Sequence, residues 1–432
     1  MTNEMRVGNR WVVALAGTAL QLCLGTVYAW SVFQKPLVHD YGWTQFSTAM
    51  TFSLAIVFLG LSAAVGGMQL GRFGPRKMAV TGGLLFGLGY LVGAFALSIH
   101  SLPLLYLGYG AIGGIGLGLG YVTPVATAAK WFPDRKGFVT GMVVMGFGLG
   151  ALLMSKVFAP MLMNATHNNL VAVFAWLGII LGPLAILSAL FLRNPPAGYA
   201  PPGYAPPPSP QPNANGLKET AQERSARQSI LSGRFAIMWL VFFCNITAGI
   251  ALLGFLSPLM QDVAKRANPL LTPEMLAGIG GTLVGITSLF NGLGRFFWGG
   301  VSDRIGRTQA FRTMLLTQIL VFLGLMLSSS HPLIFGALLC YVLLCYGGGF
   351  GTMPSFVLDV FGAKRMPVIY GTILTAWSAG GFVGPLIIAF LTDRFGARAS
   401  SYVFPVTAGF LFVGLVLSVF LSNKEEQGAA RA

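Results

Sequence analysis

The chain has 432 residues, of which 55% are hydrophobic and only 9% are charged. Average soluble domains carry about a quarter charged residues, so this composition excludes a water-soluble globular protein. A bilayer span needs about 20 apolar residues, and the length suffices for twelve such helices with loops and tails. The net charge of +15 has two possible explanations, a nucleic-acid partner or the orientation of a membrane protein.

Apolar runs bounded by proline, glycine and charge predict an all-α membrane protein with twelve transmembrane helices in two halves of six. The first run is too long for the apolar part of a signal peptide and is therefore predicted as a helix. The predicted helices cover about residues 11–33, 47–68, 78–98, 103–129, 138–162 and 170–192, then 235–259, 275–301, 312–329, 332–359, 368–391 and 400–422.

The segment between the two halves contains PPGYAPPGYAPPPSPQPNANG. A proline-rich stretch of this kind cannot bury a core, so it is predicted as a cytoplasmic linker. The predicted domain organisation is an N-terminal half at 1–193, the linker at 194–233, a C-terminal half at 234–423 and a cytoplasmic tail at 424–432.

The position of the basic residues decides between the two explanations of the net charge. With both termini inside, most of the 27 Lys and Arg residues fall in inner loops, as the positive-inside rule requires. The charge therefore predicts a multi-pass protein of the plasma (inner) membrane with cytoplasmic termini, and no nucleic-acid partner. The exceptions are Lys35, Lys265, Arg266, Arg394 and Arg398 outside, and Lys156 and Arg295 within helices.

The two halves repeat a short motif. GMQLGRFGPRK (67–77) follows the second predicted helix, and GGVSDRIGR (299–307) follows the eighth. The second copy resembles the G-x-x-x-D-R-x-G-R signature of the major facilitator superfamily, which implies a twelve-helix fold of two six-helix halves. The first copy departs, because Gly71 stands where the signature has Asp. The resemblance implies a gating or loop role for Asp303, Arg304, Arg307 and Arg72; the alternative is a solvated turn whose charges only set the orientation.

Longer segments narrow the resemblance. GNRW, GTVYAWSVF, KWFPDRKG and NGLGRFFWGGVSDRIGR are similar to the oxalate/formate antiporter branch, whose relatives include monocarboxylate transporters. This resemblance implies a secondary active transporter that alternates access between two sides, not an enzyme. No catalytic constellation, nucleotide motif or metal-ligand spacing is present in the sequence, so no cofactor, no metal and no nucleotide are predicted.

Arg295 carries most of the functional inference. It lies in an otherwise uncharged helix, eight residues before Asp303 and so about 12 Å from the predicted inner end. An intramembrane Arg needs a partner, and all 12 acidic residues fall at helix ends, in loops or in tails. The counter-ion is then an anionic cargo whose carboxylate binds the guanidinium through two hydrogen bonds. The alternative is that Arg295 reaches the inner headgroups. Helical side chains lean toward the N-terminus of their own helix, and the eighth predicted helix begins outside, so the Arg295 side chain leans toward the midplane.

Further candidates surround this anchor. Asn291, Thr287 and Ser288 form a polar stripe on the same helix, which indicates either a cavity lining or bonds between helices. In the resembling family, aromatic residues enclose the substrate, and five positions of this chain match them. We predict that these residues bind cargo through hydroxyl donors and apolar walls. The alternative is ordinary helix packing. The five residues are Tyr28, Tyr121, Tyr346, Phe350 and Trp377.

Two departures from the family bear on the cargo and its coupling. Oxalate transporters of this branch carry Lys where this chain has Trp377, so one cation remains and a monoanion such as lactate or pyruvate is predicted. Mammalian-type relatives have Asp where this chain has Asn291, and the four His residues fall at predicted outer positions. These residues indicate no buried side-chain proton carrier, so proton symport is expected from the resemblance alone. Anion exchange is one alternative, and a transporter-like carboxylate sensor is another. The predicted partners are a small monocarboxylate, a proton and the lipid bilayer.

Overall fold

The structure, a computed structural model, describes residues 9–196, 199–201, 226–328, 331–362 and 366–421. Within these ranges, twelve helices are long and apolar enough to cross a membrane, and no strand occurs. The predicted all-α fold with twelve spans is therefore confirmed. The spans are α1 (Arg10–Ala29), α2 (Gln45–Phe73), α3 (Pro75–Ser98), α4 (Leu102–Trp131), α5 (Phe138–Ala165), α6 (Leu170–Leu190), α7 (Gly233–Leu253), α8 (Pro273–Ile305), α9 (Arg307–Leu327), α10 (Pro332–Phe361), α11 (Val368–Phe395) and α12 (Ser400–Ser418).

Several spans extend beyond the apolar runs that predict them, because capping groups and not hydropathy set their ends. The Thr44 side chain accepts a hydrogen bond from the Ser47 amide and begins α2, and Thr272 does the same for Met275 at α8. Both helices end where a glycine takes a positive φ, 77° at Gly74 and 87° at Gly306. The repeated motif therefore lies mostly in the last helical turns of α2 and α8, and Gly74 and Gly306 form the links to the next helices.

Two short helices at the predicted outer end stand apart from the spans, and the predicted helices 11–33 and 235–259 overlap only their first residues. The chain leaves α1 through a 3₁₀ turn that ends at Ala29 and resumes as Ser31–Tyr41. After α7 it breaks at Phe255 and resumes as Leu256–Ala267, whose second half carries Asp262 and two basic residues. Such an amphipathic segment is stable beside water and not within lipid, which explains the break.

Glycine contacts bring helices within each half close together. A side chain at Gly89 of α3 would lie 2.5 Å from the Gly113 backbone of α4, and one at Gly87 would lie 2.8 Å from Gly182 of α6. Small residues permit this approach, which supplies van der Waals contact where lipid gives no hydrophobic drive. Large apolar side chains such as Leu15 and Phe95 point outward instead, as a lipid-facing surface requires.

The two halves meet along two seams, α2 against α11 and α5 against α8. In the first seam, Ser378 Oγ donates to the Val57 carbonyl at 2.9 Å. In the second, Ser288 Oγ donates to the Gly148 carbonyl and accepts from the Leu152 amide. Each seam therefore contains a serine that bonds to the backbone of the opposite half.

Polar contacts also join the halves at the predicted outer end. Lys35 Nζ lies 2.7 Å from Asp262 Oδ1. The Asp393 carboxylate, at the end of α11, accepts from the Gln45 and Phe46 amides at 3.1 and 2.8 Å and so caps α2 from the other half. This end of the interface is closed in the structure.

Part of the predicted linker can be described. The chain forms a short helix at Ala226–Ile230, and the Ser232 side chain then caps the start of α7. Residues 1–8, 202–225 and 422–432 lie outside the described residues, and so does most of the predicted linker and tail. The domain boundaries at 193, 233 and 423 remain a prediction.

Candidate functional site

Arg295 lies at the interface between the halves, on the face of α8 that meets α5. Its side chain is 3% exposed, and Nη1 donates to the Val144 carbonyl of the opposite half at 2.6 Å. Its guanidinium carbon lies 5.4 Å from the centre of the Phe350 ring. Among the described residues, its Nε and Nη2 atoms have no hydrogen-bond partner and no carboxylate forms an ion pair with it. Nε and Nη2 form one edge of the guanidinium, the edge that binds a carboxylate with two parallel hydrogen bonds.

Glycines on α10 fix the position of α8 at this depth. A side chain at Gly347 would collide with the Asn291 carbonyl, and one at Gly351 with the Arg295 carbonyl. On the other side of α8, a side chain at Gly148 of α5 would lie 3.0 Å from the Gly292 backbone. Backbones on both sides therefore hold the Arg295 main chain in place, which is the structural reason for the glycine-rich sequence of α10.

The aromatic residues predicted around the anchor lie in one buried cluster contributed by both halves. Tyr28 Oη and Tyr346 Oη are 2.7 Å apart. The Trp377 ring lies at the centre of the cluster, 4.8 Å from Phe350, 5.2 Å from Tyr121 and 6.3 Å from Tyr28. The structure thus brings all five predicted aromatic residues together, and Phe350 and Tyr121 are the members of the cluster nearest to Arg295.

Several buried polar atoms of this cluster have no partner among the described residues. They are Tyr121 Oη, Trp377 Nε1 and both amide atoms of Asn291, in addition to two nitrogens of Arg295. A buried polar group without a partner costs free energy, and folded proteins contain few of them. Most of these atoms are donors, the kind of group that an anion accepts hydrogen bonds from.

The other two residues of the polar stripe on α8 make hydrogen bonds to helix backbones. Thr287 Oγ1 donates to the Leu283 carbonyl of its own helix, and Ser288 bonds to α5 as described above. Only Asn291 of the three keeps its polar atoms unpaired in the described structure. The alternative interpretation, that small polar residues bond helices together, is therefore correct for Ser288, whereas Thr287 bonds only within its own helix.

The motif residues lie at the predicted inner end, away from the cluster. Arg307 binds Asp303 at 2.5 Å and Asp359 at 3.0 Å, and both carboxylates belong to its own half. Arg72 lies instead over the neighbouring Phe73 ring at 5.4 Å, and Arg304 is exposed. The motif of the C-terminal half therefore ties α9 to the ends of α8 and α10, and the gating role of these four residues remains a prediction.

Three contributors to the site are missing from the residues predicted by sequence, and one of them, Tyr370 of α11, lies close enough to Arg295 and Tyr121 to interact with them electrostatically. Val144 contributes only its backbone carbonyl, for which side-chain patterns give no signal. Phe147, also on α5, is fully buried and its ring lies 5.0 Å from Tyr28, 5.2 Å from Tyr121 and 5.8 Å from Trp377. Nothing in the sequence distinguishes it from the other 32 Phe residues, since its role depends on which helix faces meet.

The sequence allows two roles for Lys156, near the outer end of the fifth predicted helix: attraction of anions or contact with the lipid headgroups. In the structure its Nζ donates to Thr282 Oγ1 of α8 at 2.5 Å, at the predicted outer end of the second seam. It lies in a π-helical turn, Met154–Phe158, which shifts the register of α5 by one residue. Lys156 therefore forms a further contact between the halves.

The twelve apolar helices of the described residues, with a buried cation between them, are those of a multi-pass integral membrane protein of the transporter class. The sequence model of the Major Facilitator Superfamily matches residues 12–385 and 267–432. The chain belongs to this superfamily, as the repeated motif predicted.

Similar proteins include the oxalate:formate antiporter of Oxalobacter formigenes, which is 27% identical over 96% of this chain and 92% of its own. Apicoplast pyruvate carrier 1 of Toxoplasma gondii is 27% identical over 89% and 84%. Human monocarboxylate transporter 11 is 26% identical over 94% and 82%. The predicted resemblance to the oxalate/formate branch and to monocarboxylate transporters is thereby confirmed.

Solved structures share the fold at lower identity. A D-xylose–proton symporter matches with a TM-score of 0.68 at 15% identity and covers 95% of this chain and 96% of its own. An inward-facing bacterial homologue of the human lysosomal transporter Spinster matches with a TM-score of 0.64 at 16% identity, with the same coverage. These similarities establish the architecture and no more than that.

Proposed function

We propose that this protein is a secondary active transporter of small monocarboxylate anions of the lactate or pyruvate type. One observation carries the proposal: the Nε and Nη2 edge of Arg295 is buried between the halves and unpaired among the described residues. A carboxylate is the ligand whose two oxygens match that edge. Arg295 is the anchor, Asn291, Tyr121, Tyr28 and Tyr346 are the polar groups around it, and Phe350 and Trp377 are the apolar walls.

Electrostatics favours this assignment. A buried cation is stable only with a paired charge or several hydrogen bonds, and the Val144 carbonyl supplies a single acceptor. An anion on the free edge neutralises Arg295 and accepts two charge-assisted hydrogen bonds, while Nη1 keeps its bond to α5. The bound cargo then contacts one half through Arg295 and the other through Tyr121, which is the arrangement that alternating access requires.

The residues around the anchor favour a monoanion with an apolar end. Arg295 is the one cation among the residues that form the described cluster, and Trp377 stands where the oxalate carriers of the resembling branch have a second cation. Indole and phenyl rings offer apolar surface to a short carbon chain and exclude bulk water. The names of the relatives, an oxalate:formate antiporter, a pyruvate carrier and a monocarboxylate transporter, agree with a carboxylate cargo.

We propose proton symport as the coupling, with the proton carried on the cargo carboxylate. The acidic and histidine residues of the described chain lie away from the aromatic cluster, so the cluster itself supplies no side-chain proton carrier of that kind. Anion exchange is the second candidate, favoured by the antiporter among the relatives. The excess of basic residues in inner loops supports a plasma-membrane location with cytoplasmic termini.

Uptake of labelled pyruvate and lactate into proteoliposomes tests the proposal. Symport predicts uptake that an inward proton gradient accelerates, whereas exchange predicts uptake that needs a preloaded internal anion and ignores the gradient. Saturable binding without flux would instead indicate a sensor. Arg295→Ala should abolish binding and uptake, while Arg266→Ala, which removes an exposed positive charge, should leave both unchanged. Wild-type uptake by a folded Arg295→Ala protein would disprove the anchor.

A further inference from the structure

Phe147 occupies a position in the cluster that none of the predicted site residues fills. Three rings come from the first half, Tyr28, Tyr121 and Phe147, and three from the second, Tyr346, Phe350 and Trp377. Each described ring contact of Phe147 is with one of the predicted site residues, at centroid distances between 5.0 and 5.8 Å. Its side chain is fully buried.

The helix that carries this ring also fixes the anchor. Val144, whose carbonyl binds Arg295, lies three residues before Phe147 on α5, or about 4.5 Å along the helix axis. The carbonyl that binds Arg295 and the phenyl ring are therefore about one helical turn apart on the same helix, a spacing comparable to the length of a short acid.

The backbone at Phe147 is held independently of its ring. A side chain at Gly25 of α1 would collide with the Phe147 carbonyl, and one at Gly150 would collide with the Gly25 backbone. Because α1 and α5 meet through backbone atoms, removing the phenyl group leaves the helices in place and opens apolar space where the ring was. Apolar space of this kind in a core accepts apolar ligands.

We propose that Phe147 determines cargo specificity by limiting the length of the apolar end that the site accepts. This inference rests on the proposed carboxylate transport and adds a specificity-determining residue to it. The phenyl ring belongs to the first half and Phe350 to the second, and both rings contact Trp377. A smaller residue at this position extends the site, and the extension benefits only acids long enough to reach it.

A competition series in proteoliposomes tests this role. Uptake of labelled pyruvate is inhibited with acetate, propionate, butyrate and hexanoate, and the ratio of inhibition constants between long and short acids is the readout. Phe147→Ala should shift preference toward longer acids by about fourfold for each methylene that enters the new space, which is about fifteenfold between butyrate and hexanoate. Phe147→Leu should give an intermediate shift.

Phe174 provides the matched control. It is a fully buried aromatic residue of the same half, but its ring contacts Trp30, Phe33, Tyr90 and Tyr109, away from the site. Phe174→Ala should therefore leave the ratio unchanged even if it lowers stability. A general loss of stability changes all acids alike, and only a change in the cargo space changes the ratio between them.

The possible outcomes distinguish a failure of the role of Phe147 from a failure of the proposed carboxylate transport. An equal loss of affinity for all four acids in Phe147→Ala, or the same ratio shift in Phe174→Ala, would overturn the role of Phe147 while carboxylate transport stands. If Phe147→Ala does not fold, an unchanged ratio in Phe147→Leu overturns it equally. A wild-type protein that neither binds nor transports any of these acids would overturn the proposed function itself.

Discussion

Tyr28 and Tyr346 share a hydrogen bond of 2.7 Å that joins α1 of one half to α10 of the other. Both side chains are fully buried beside Trp377 and Phe350. Because a transporter of this architecture exposes its centre by moving one half against the other, this bond has to break whenever the halves separate between α1 and α10. The pair therefore contributes to the stability of the closed state.

We expect Tyr346→Phe to shift the protein toward opening at the predicted outer end. The change removes about 1 kcal/mol of net hydrogen-bond free energy, which corresponds to about a fivefold shift in population. Spin labels on Asp40→Cys and Leu270→Cys, two exposed positions at that end in opposite halves, report the distance distribution. Tyr341→Phe, which removes a tyrosine bond to Thr317 within one half, is the control and should leave the distribution unchanged.

Arg295→Lys should retain the positive charge but lose most of the affinity. A lysine ammonium cannot present two parallel donors to a carboxylate, and hydrogen bonds to charged groups contribute about 1.5–3 kcal/mol, so we expect KM for pyruvate to rise by about 10- to 100-fold. Arg266→Lys at an exposed position should have no effect. An unchanged KM in Arg295→Lys would mean that charge alone, and not the forked geometry, holds the cargo.

Trp377→Lys should change the charge class of the cargo. A second cation in the cluster offers a partner for a second carboxylate, so oxalate should inhibit pyruvate uptake at least about tenfold more strongly than it inhibits the wild type. Trp377→Leu removes the ring without adding charge and separates the two effects. If both variants change oxalate inhibition alike, charge at this position does not select the cargo.

The Asp393 cap on α2 should stabilise closure at the predicted outer end. Asp393→Asn keeps the size of the side chain but weakens its two bonds to the α2 amides, because the charge that favours a helix N-terminus is lost. We expect longer distances between the same spin-label sites. For this variant the control is Arg266→Gln, an exposed change at the same end that should not alter the distances.

Acid should weaken one contact at the predicted inner end. Arg10 donates to Asp134 at 2.7 Å and holds the pKa of that carboxyl below its usual value of 3.8. A lowered pKa in the folded state means that the contact stabilises the protein above pH about 4 and that this contribution is lost as the pH falls further. Thermal unfolding in detergent should show Tm about 1–2 °C lower for Asp134→Asn at pH 7. At pH 3 the difference should shrink; a constant difference would contradict the assignment.

The sequence predicts the parts of this structure that depend on composition and on single unusual residues. Twelve apolar runs predict twelve spans, and an Arg among apolar residues predicts a buried cation near the centre. The helix ends differ because capping by Thr44 and Thr272 is local chemistry that hydropathy does not register. Phe147 and the Val144 carbonyl escape prediction because their roles arise from which helix faces meet, and that is a property of the assembled bundle.

The glycines that hold α8 against α10 have a consequence for how the specificity of this carrier can change. Gly347 and Gly351 fix the axial position of Arg295 through main-chain contacts, so a shift of α8 along its axis is blocked whatever surrounds the guanidinium. The rings around the anchor are held by side-chain contacts alone and can be exchanged one at a time. With Arg295 as the proposed anchor, a change of cargo is therefore best sought by substituting Phe147, Phe350 and Trp377 while the charge is kept.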